Sequence, residues 1–468
     1  MAEDGGSIDA MRVLLVNTPT GEKSLIRDMA GGYGFDGRRD SILLPPLDLT
    51  YMASTLLKKG HDVRLLDGNL DRYNNDVISD TITNYDPQVI VGAVSLPTLY
   101  SDCDFLKSIR QFSRAKIIAK TSILYEPVLR EVALRSAADL CIYGECELTI
   151  TEIIEGTDRR NSAYFNGKEF VIEQKSVVDN LDDLPLPARQ LLDNGEYRYI
   201  LLGNKVTSMS TSRGCPYTCS YYCPYSLVQG KRYRARSPEN VIWEIEDIVQ
   251  NYDIHKILFR DATFTFDKER IKKICNLIIE RMLQVEWWCE TRVDCLDLNL
   301  MKMMKRAGCL GINIGVETGD PEFMETHAKI GMTMDKLKNV RNAAEQLGLK
   351  LHFLLMIGLP GESRRSLYET YRLIHDLRPE TIGVCIVTPY PGTPLYLEAK
   401  EKGWIETEDW SNYGGHHPVM HTANLSSNDM VIARRMMLDG MFDLKRNTIK
   451  SRLKSKIRDF RFKRWSMA

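Results

Sequence analysis

Short apolar strands alternate with helical segments along most of the chain, and this alternation limits the fold more than any other feature. In the first part of the chain the strands lie at residues 11–17, 61–67, 88–94, 115–120 and 140–143. Strands that alternate with helices form parallel sheets through right-handed crossovers. We therefore predict an α/β fold that begins with a Rossmann-like doubly wound sheet over residues 1–157.

A second series of strands and helices follows a hairpin and a proline-rich linker. Asn166-Gly167 lies between two alternating segments, which predicts the hairpin, and residues 182–188 read DDLPLPA. The later strands lie at residues 206–211, 256–261, 286–292, 311–317, 350–359 and 381–388. This series predicts a partial (β/α)6 barrel over residues 201–403, between a hairpin and linker at 158–200 and a helical region at 404–468.

Three cysteines follow the first strand of the second series. Cys215, Cys219 and Cys223 are spaced C-x3-C-x3-C, and no fourth cysteine stands at ligand spacing. An iron–sulfur cubane takes one protein ligand per iron, so three thiolates would leave one iron open to a small molecule. The alternatives are a structural zinc site, which would need a fourth ligand nearby, and buried cysteines that only pack. We favour the cluster, at the strand end where barrels carry their chemistry.

Composition predicts a cytoplasmic protein. The formal net charge is −1, and no apolar run is long enough to span a membrane, so we expect neither nucleic acid nor a membrane as a partner. Eleven cysteines without framework spacing suit a reducing compartment. Basic residues are concentrated between Lys445 and Arg464. We interpret them as a solvated helix face, with a docking surface for an acidic electron donor as the alternative.

Residues 204–402 resemble the radical S-adenosylmethionine (SAM) superfamily. The matching segments are TSRGC, FRDATFTFD, WWCETRVDCLD, MKRAGCLGINIGVETGD, FLLMIGLPGES and VTPYPGTPLY, in the family's order. With the Rossmann-like domain in front, the layout resembles the cobalamin-binding class of that superfamily. The resemblance implies a [4Fe–4S] cluster on the three cysteines, whose open iron chelates SAM and cleaves it to a 5'-deoxyadenosyl radical.

The resemblance also implies which residues contact SAM. Tyr222, or its neighbour Tyr221, would lie against the adenine, and Asp261 would bind the amino group. Arg292 would bind the methionine carboxylate, with an ion pair as the alternative. Glu317 would contact the ribose or the methionine portion. The two tyrosines lie in the cysteine loop, and each of the other three residues ends a predicted strand.

The chain departs from the family pattern in two ways, and the second predicts that cobalamin does not bind. The usual cysteine spacing is C-x3-C-x2-C, and the usual Gly-Gly pair after the fourth strand is replaced here by KTSILY at residues 120–125. The D-x-H-x-x-G signature is absent, and we interpret His61 as a turn residue. The unusual spacing resembles the radical SAM diol-dehydratases of apramycin-type aminoglycoside biosynthesis.

That resemblance implies C3' deoxygenation of a paromamine-like amino sugar by dehydration. The implied partners are a flavodoxin- or ferredoxin-type reductant and a separate NAD(P)H-dependent reductase acting on the product. Glu290 shares the inward face with Arg292 and would be the base, or would bind a sugar ammonium, unless it pairs with Arg292. His352 would protonate the leaving hydroxyl, unless it is a core histidine. The competing functions are a cobalamin-dependent radical SAM methyltransferase acting on an unactivated carbon and a cluster-bearing interaction protein.

Overall fold

The computed structural model describes residues 9–21, 24–27, 32–37, 41–70, 72–325, 331–446 and 448–467. The chain forms two compact units. The N-terminal unit comprises residues 1–205 and 224–230, and the barrel unit comprises residues 206–223 and 231–468. Each unit has its own parallel sheet, which confirms the predicted α/β class with a Rossmann-like sheet and a partial barrel.

The N-terminal unit is built on a seven-stranded sheet with helices on its faces. Its strands are β1 Arg12–Asn17, β2 Ser24–Ile26, β3 Phe35–Gly37, β4 Ile42–Leu43, β5 Asp62–Asp67, β6 Val89–Val94, β7 Lys116–Thr121, β8 Leu140–Tyr143, β9 Ser162–Asn166, β10 Glu169–Ile172, β11 Arg198–Tyr199 and β12 Gly203–Asn204. Its helices are α1 Leu47–Lys58, α2 Asn75–Tyr85, α3 Leu99–Ile109, α4 Glu126–Ser136, α5 Thr149–Glu155 and α6 Tyr225–Gln229.

The strand order of this sheet is β10-β9-β8-β7-β6-β1-β5. Strands β5, β1, β6, β7 and β8 are parallel, whereas the predicted hairpin β9–β10 adds two antiparallel strands at the edge. All six residues of β6 are buried, as expected for a central strand covered on both faces. The carboxyl ends of the parallel strands therefore share one edge, where α/β proteins of this kind bind ligands.

The barrel unit contains a six-stranded parallel sheet in the order β13-β16-β17-β18-β19-β20. Its strands are β13 Val206–Met209, β14 Ser212–Arg213, β15 Arg234–Ala235, β16 Lys256–Phe259, β17 Glu286–Thr291, β18 Cys309–Glu317, β19 Lys350–Ile357 and β20 Thr381–Ile386. Its helices are α7 Pro238–Tyr252, α8 Lys268–Glu280, α9 Leu298–Arg306, α10 Pro321–Phe323, α11 Met334–Leu347, α12 Arg364–Leu377, α13 Pro394–Glu401, α14 Ser427–Arg446 and α15 Ile449–Ser466.

Alternation along these strands separates an outer apolar face from an inner face. Trp287, Ile312 and Phe353 belong to the core that the outer face forms with the helices. The intervening residues Trp288 and Asn313 point the other way, toward the inside of the partial barrel. The sequence therefore places the buried apolar side chains and the functional candidates on opposite faces of one sheet.

Trp288 lies in the barrel interior near the amino-terminal ends of β18 and β19. It is fully buried and lies so close to Gly311 that a Cβ at Gly311 would be 2.3 Å from the indole ring. The indole nitrogen donates a hydrogen bond of 2.6 Å to Oδ1 of Asn313. A larger residue at position 311 would displace the indole, so this glycine is required by close approach. The carboxyl-terminal ends of the barrel strands are where barrels of this kind carry their active sites.

The C-terminal helices complete the barrel unit. Met430, Ala433 and Met437 of α14 and Phe462 of α15 are fully buried in the same core as the sheet. Ile386 of β20 donates to the carbonyl of Gly415, so a later segment covers this strand edge. Among the helices of the described residues, none combines the length and apolar composition that crossing a membrane requires.

Candidate active site

The cysteine loop is fixed at its base by a short antiparallel ladder. Ser212 and Arg213 pair with Ala235 and Arg234. Gly214 then adopts a φ of +83°, which an L side chain disfavours, so it makes the sharp turn into Cys215. Cys215 is buried, whereas Cys219 and Cys223 are half-buried.

A helical turn accommodates the extra residue between the second and third cysteines. Residues Thr218–Tyr221 form a 3₁₀ turn, and the Cys223 amide donates a 2.9 Å hydrogen bond to the carbonyl of Cys219. This bond spans four residues, as in a turn of α-helix, where residues four apart lie on the same side. The unusual C-x3-C-x3-C spacing thus keeps Cys219 and Cys223 on one side of the loop.

The three thiols suit an iron–sulfur cluster. Hydrogen bonding with Cys219, together with burial, raises the pKa of Cys215, so the pair of thiols is already in contact. Among the described residues, no three His, Cys, Asp or Glu side chains surround a position for a single metal ion. A cubane is larger and separates its ligands more widely, and soft sulfur donors are the ligands that such clusters use.

The structure separates the two tyrosines that were candidates for the adenine contact. Tyr222 is buried beside Phe323 and Leu359 and lies near Glu317. Tyr221 instead donates a 2.5 Å hydrogen bond from its hydroxyl to Oε2 of Glu398 on α13. Tyr221 therefore ties the cysteine loop to a helix. The adenine contact stays a prediction, and Tyr222 is the better placed of the two.

Asp261 follows β16 and fastens the segment that leads into the cysteine loop. Its carboxylate accepts the Thr211 amide at 2.7 Å, the Thr211 hydroxyl at 2.5 Å and the Ser212 hydroxyl at 2.7 Å. Asp261 is buried. The predicted contact with the SAM amino group stays a prediction, since a carboxylate has about four acceptor positions and three are in use.

Arg292 takes part in a buried ion pair, the alternative that its sequence position left open. Its Nε and one terminal nitrogen each lie 2.9 Å from an oxygen of Asp294. The guanidinium also stacks 3.8 Å from the centroid of the Tyr217 ring, inside the cysteine loop. Arg292 thus pairs with Asp294 and holds the loop by its aromatic face. Its contact with the SAM carboxylate stays a prediction.

Glu317 ends β18 in a strained conformation. Its φ is +65°, a region that non-glycine residues adopt at a cost on the order of 1 kcal/mol or more, and the pairing with β19 shifts register between Gly315 and Glu317. The carboxylate is buried near Tyr222. Strain of this kind persists where the surroundings fix it, and it marks Glu317 as a functional candidate whose SAM contact stays a prediction.

Glu362 is a site residue that the sequence reasoning did not single out. It is fully buried, and its Oε2 accepts the amides of Gly358 at 2.7 Å and Leu359 at 3.1 Å. Its Oε1 is buried without a hydrogen-bond partner. Burial raises the pKa of Glu362 to about 8. The glycine-rich segment GLPGES, quoted above for the family resemblance, was the available signal.

Glu290 and His352 lie on the inner face of the barrel. Glu290 is half-buried on β17, and Arg292 pairs with Asp294. The Nδ1 of His352 lies 2.6 Å from the Thr381 hydroxyl, and burial lowers the pKa of His352 to about 4. His352 is therefore neutral at pH 7 and a poor proton donor. This conflicts with the acid role that dehydration would require.

The carboxyl edge of the N-terminal sheet carries small polar residues. Ser95 follows β6. Thr121 is the last residue of β7, and Ser122 comes directly after it. Lys120 does not obstruct this edge, because its ammonium forms a buried ion pair with Asp48 of α1. Hydroxyl groups suit the amide-bearing rim of a corrin, so these residues fit a cobalamin. Gly32 lies directly on Ser122, where a Cβ would be 2.1 Å from the hydroxyl oxygen.

His61 lies at the opposite end of this sheet. It precedes β5, and its Nδ1 accepts a 3.2 Å hydrogen bond from the Met11 amide. Burial lowers the pKa of His61. The turn interpretation of His61 is consistent with this position, and a ligand at the carboxyl edge would be out of its reach.

Comparison with known proteins finds a family match within the barrel unit. Residues 209–374 match the model of the radical SAM superfamily. An uncharacterised methyltransferase of Pyrococcus horikoshii is 29% identical over 429 residues, which cover 89% of each chain. This match extends the similarity beyond the radical SAM segment into both units.

Two solved structures share the fold. The cobalamin-dependent SAM radical enzyme OxsB, with aqua-cobalamin and SAM bound, matches with a TM-score of 0.73 and 17% identity over 97% of this chain and 72% of its own. The radical SAM methyltransferase TsrM from Kitasatospora setae, with cobalamin and a [4Fe-4S] cluster bound, matches with a TM-score of 0.66 and 16% identity over 84% of this chain and 75% of its own.

These comparisons correct two predictions. Diol dehydration of an amino sugar is wrong, because the relative is a methyltransferase and the radical SAM proteins of this fold are a methyltransferase and a cobalamin-dependent enzyme. The product reductase and the dehydration roles of Glu290 and His352 were implied by that reaction, and they are not proposed again. The expectation that cobalamin does not bind is also wrong, because both solved structures hold it. The physical error was to treat Lys120 as bulk at the sheet edge, whereas its side chain turns toward Asp48.

Proposed function

We propose that the protein is a cobalamin-dependent radical SAM methyltransferase that acts on a small molecule. The observation that carries the proposal is the pairing of a Rossmann-like sheet with a three-cysteine barrel, an architecture shared with OxsB over 97% of the chain. The methyltransferase from Pyrococcus horikoshii supports the reaction type. A flavodoxin- or ferredoxin-type protein would supply the electron that radical SAM chemistry needs.

The chain's own residues would position and protect this chemistry. When bound, the cluster supplies an electron, SAM supplies the radical and the methyl group, and cobalamin supplies a methyl carrier. Asp261 holds the base of the cysteine loop, and Arg292 holds Tyr217 within it. Trp288 is fully buried near the amino-terminal end of the barrel and would limit the access of water from that side. Glu290 would orient the substrate from the inner face, two strands away from a neutral His352.

Anaerobic reconstitution with and without hydroxocobalamin tests the proposal. We expect the full-length protein to retain corrin absorbance after gel filtration, together with iron and sulfide. With SAM and dithionite, we expect S-adenosylhomocysteine, the product left when SAM gives up a methyl group, as well as 5'-deoxyadenosine. Protein that retains no corrin and forms 5'-deoxyadenosine alone would contradict the proposal.

A matched pair of cysteine variants separates the cluster site from the other cysteines. Cys223→Ala should lose the cluster's iron and its absorbance, because Cys223 stands on the loop. Cys275→Ala should keep both, because Cys275 lies in the apolar core on α8. Equal iron content in the two variants would contradict the assignment of the ligands.

A further inference from the structure

Helix α15 has two apolar faces, and one of them is exposed. The packed face lies on α12 and α14 and carries Ser451, which is buried, and Phe462, which is fully buried. On the opposite face, Leu453, Ile457 and Phe460 are 60%, 46% and 66% exposed. Their spacing of four and then three residues places them in one stripe along a helix.

Basic residues border this stripe on both sides. At about 100° per residue, Lys456 and Lys463 lie on one flank, and Lys450 and Arg461 lie on the other. All four are exposed. The helix contains eight basic residues and one acidic residue. From Leu453 to Phe460 the exposed face is therefore apolar at its centre and cationic along both margins, and Arg464 continues the stripe at its C-terminal end.

The one acid of α15 lies on the packed side. Asp459 accepts a 2.9 Å hydrogen bond from the Tyr368 hydroxyl on α12. Arg458, also on this side, forms ion pairs with Asp443 and Asp439 of α14. The charges of the packed face are thus neutralised within the unit, and the positive charge of the helix is concentrated at the exposed face.

We infer that this exposed face of α15 binds an anionic lipid surface. Apolar side chains between two rows of Lys and Arg match a helix that lies in the plane of a bilayer. The apolar side chains enter the acyl boundary, while the long basic side chains reach the anionic headgroups. An acidic protein would also be attracted by the basic residues. Binding such a protein would not by itself require an apolar stripe with basic residues on both sides.

Co-sedimentation with vesicles tests this inference on the full-length protein. We expect binding to vesicles of phosphatidylcholine mixed with phosphatidylglycerol and much weaker binding to phosphatidylcholine alone. Lys456→Ala with Lys463→Ala should weaken binding roughly five-fold for each lysine removed. Added salt should weaken the binding of the wild-type protein, because the charge attraction is screened.

An apolar variant and its matched control test the stripe itself. Leu453→Glu with Phe460→Glu should abolish vesicle binding while the thermal unfolding of the protein is unchanged. Leu134→Glu, at a side chain 64% exposed on α4 of the N-terminal unit, should bind vesicles as the wild type does. Absence of wild-type binding to both vesicle types overturns the inference. Binding of an acidic flavodoxin that is lost in the α15 variants, without vesicle binding, would assign the face to a protein.

Discussion

Each of the two sheets has a fully buried carboxylate near its carboxyl edge, and the two are satisfied in different ways. Asp102 in the N-terminal unit accepts hydrogen bonds from Arg27, Thr18, Thr98 and the Ser95 amide on both of its oxygens. Glu362 in the barrel unit accepts two amides on one oxygen, and its other oxygen has no partner.

The difference indicates that Asp102 has a structural role, whereas Glu362 has an oxygen available to bind a ligand. Every oxygen of Asp102 is paired with a charge or a donor, which fixes the strand ends of β1 and β6 to α3. The cost of burying Glu362 is offset by hydrogen bonds to only one of its two oxygens. Glu362 also lies near Glu317, whose backbone is strained. Unsatisfied and strained groups concentrate at functional sites. One oxygen of Glu362 is therefore left for a ligand, whereas both oxygens of Asp102 are used within the N-terminal unit.

The largest effect we expect comes from breaking the Asp102 network. Asp102→Ala leaves the Arg27 guanidinium buried without its counter-charge, which costs about 3–5 kcal/mol of unfolding free energy. Urea denaturation measures this as a lower midpoint. Asp104→Ala on the same helix removes only an exposed pair with Arg135 and should cost about 1 kcal/mol or less. Equal losses in the two variants would contradict the proposed role of Asp102.

A smaller loss of stability, with a specific loss of iron, is expected at Asp261. Asp261→Ala leaves the Thr211 amide and two hydroxyls without their acceptor, which costs about 2–3 kcal/mol. Because these groups fasten the cysteine loop, reconstituted iron should fall several-fold. Asp267→Ala removes the N-cap of α8, costs about 1 kcal/mol and should leave the iron content unchanged. Normal iron in the Asp261 variant would contradict its positioning role.

The sequence predicted the architecture better than the site. Strand and helix alternation identified both sheets because burial on both faces leaves continuous apolar strands, as in β6. The cysteine loop was identifiable because its ligands are close together in the chain. The pairings Arg292–Asp294 and Lys120–Asp48 were not, because side-chain direction at a loop or strand end is set by tertiary contacts. A formal net charge of −1 likewise conceals a helix with a strongly basic face.

The last effect we expect appears only when the pH is varied, and it comes from Glu362. Burial raises the pKa of Glu362 from 4.5 to about 8, so the folded protein keeps this proton at pH values where the unfolded chain releases it. The stability contribution of the protonated acid is complete below the unfolded pKa, falls as the pH rises above it, and is lost by about pH 8. Glu362→Gln mimics the neutral acid and should remove this decline.

Urea midpoints of the wild type and Glu362→Gln, measured from pH 4 to 8.5, test this decline. The variant should match the wild type at the acid end and exceed it at the alkaline end, where the wild type must ionise a buried group. Glu345→Gln, at a mostly exposed position on α11, should follow the wild type throughout. Parallel curves for Glu362→Gln and the wild type would mean that the free oxygen of Glu362 finds a partner in solution and that its pKa is not raised.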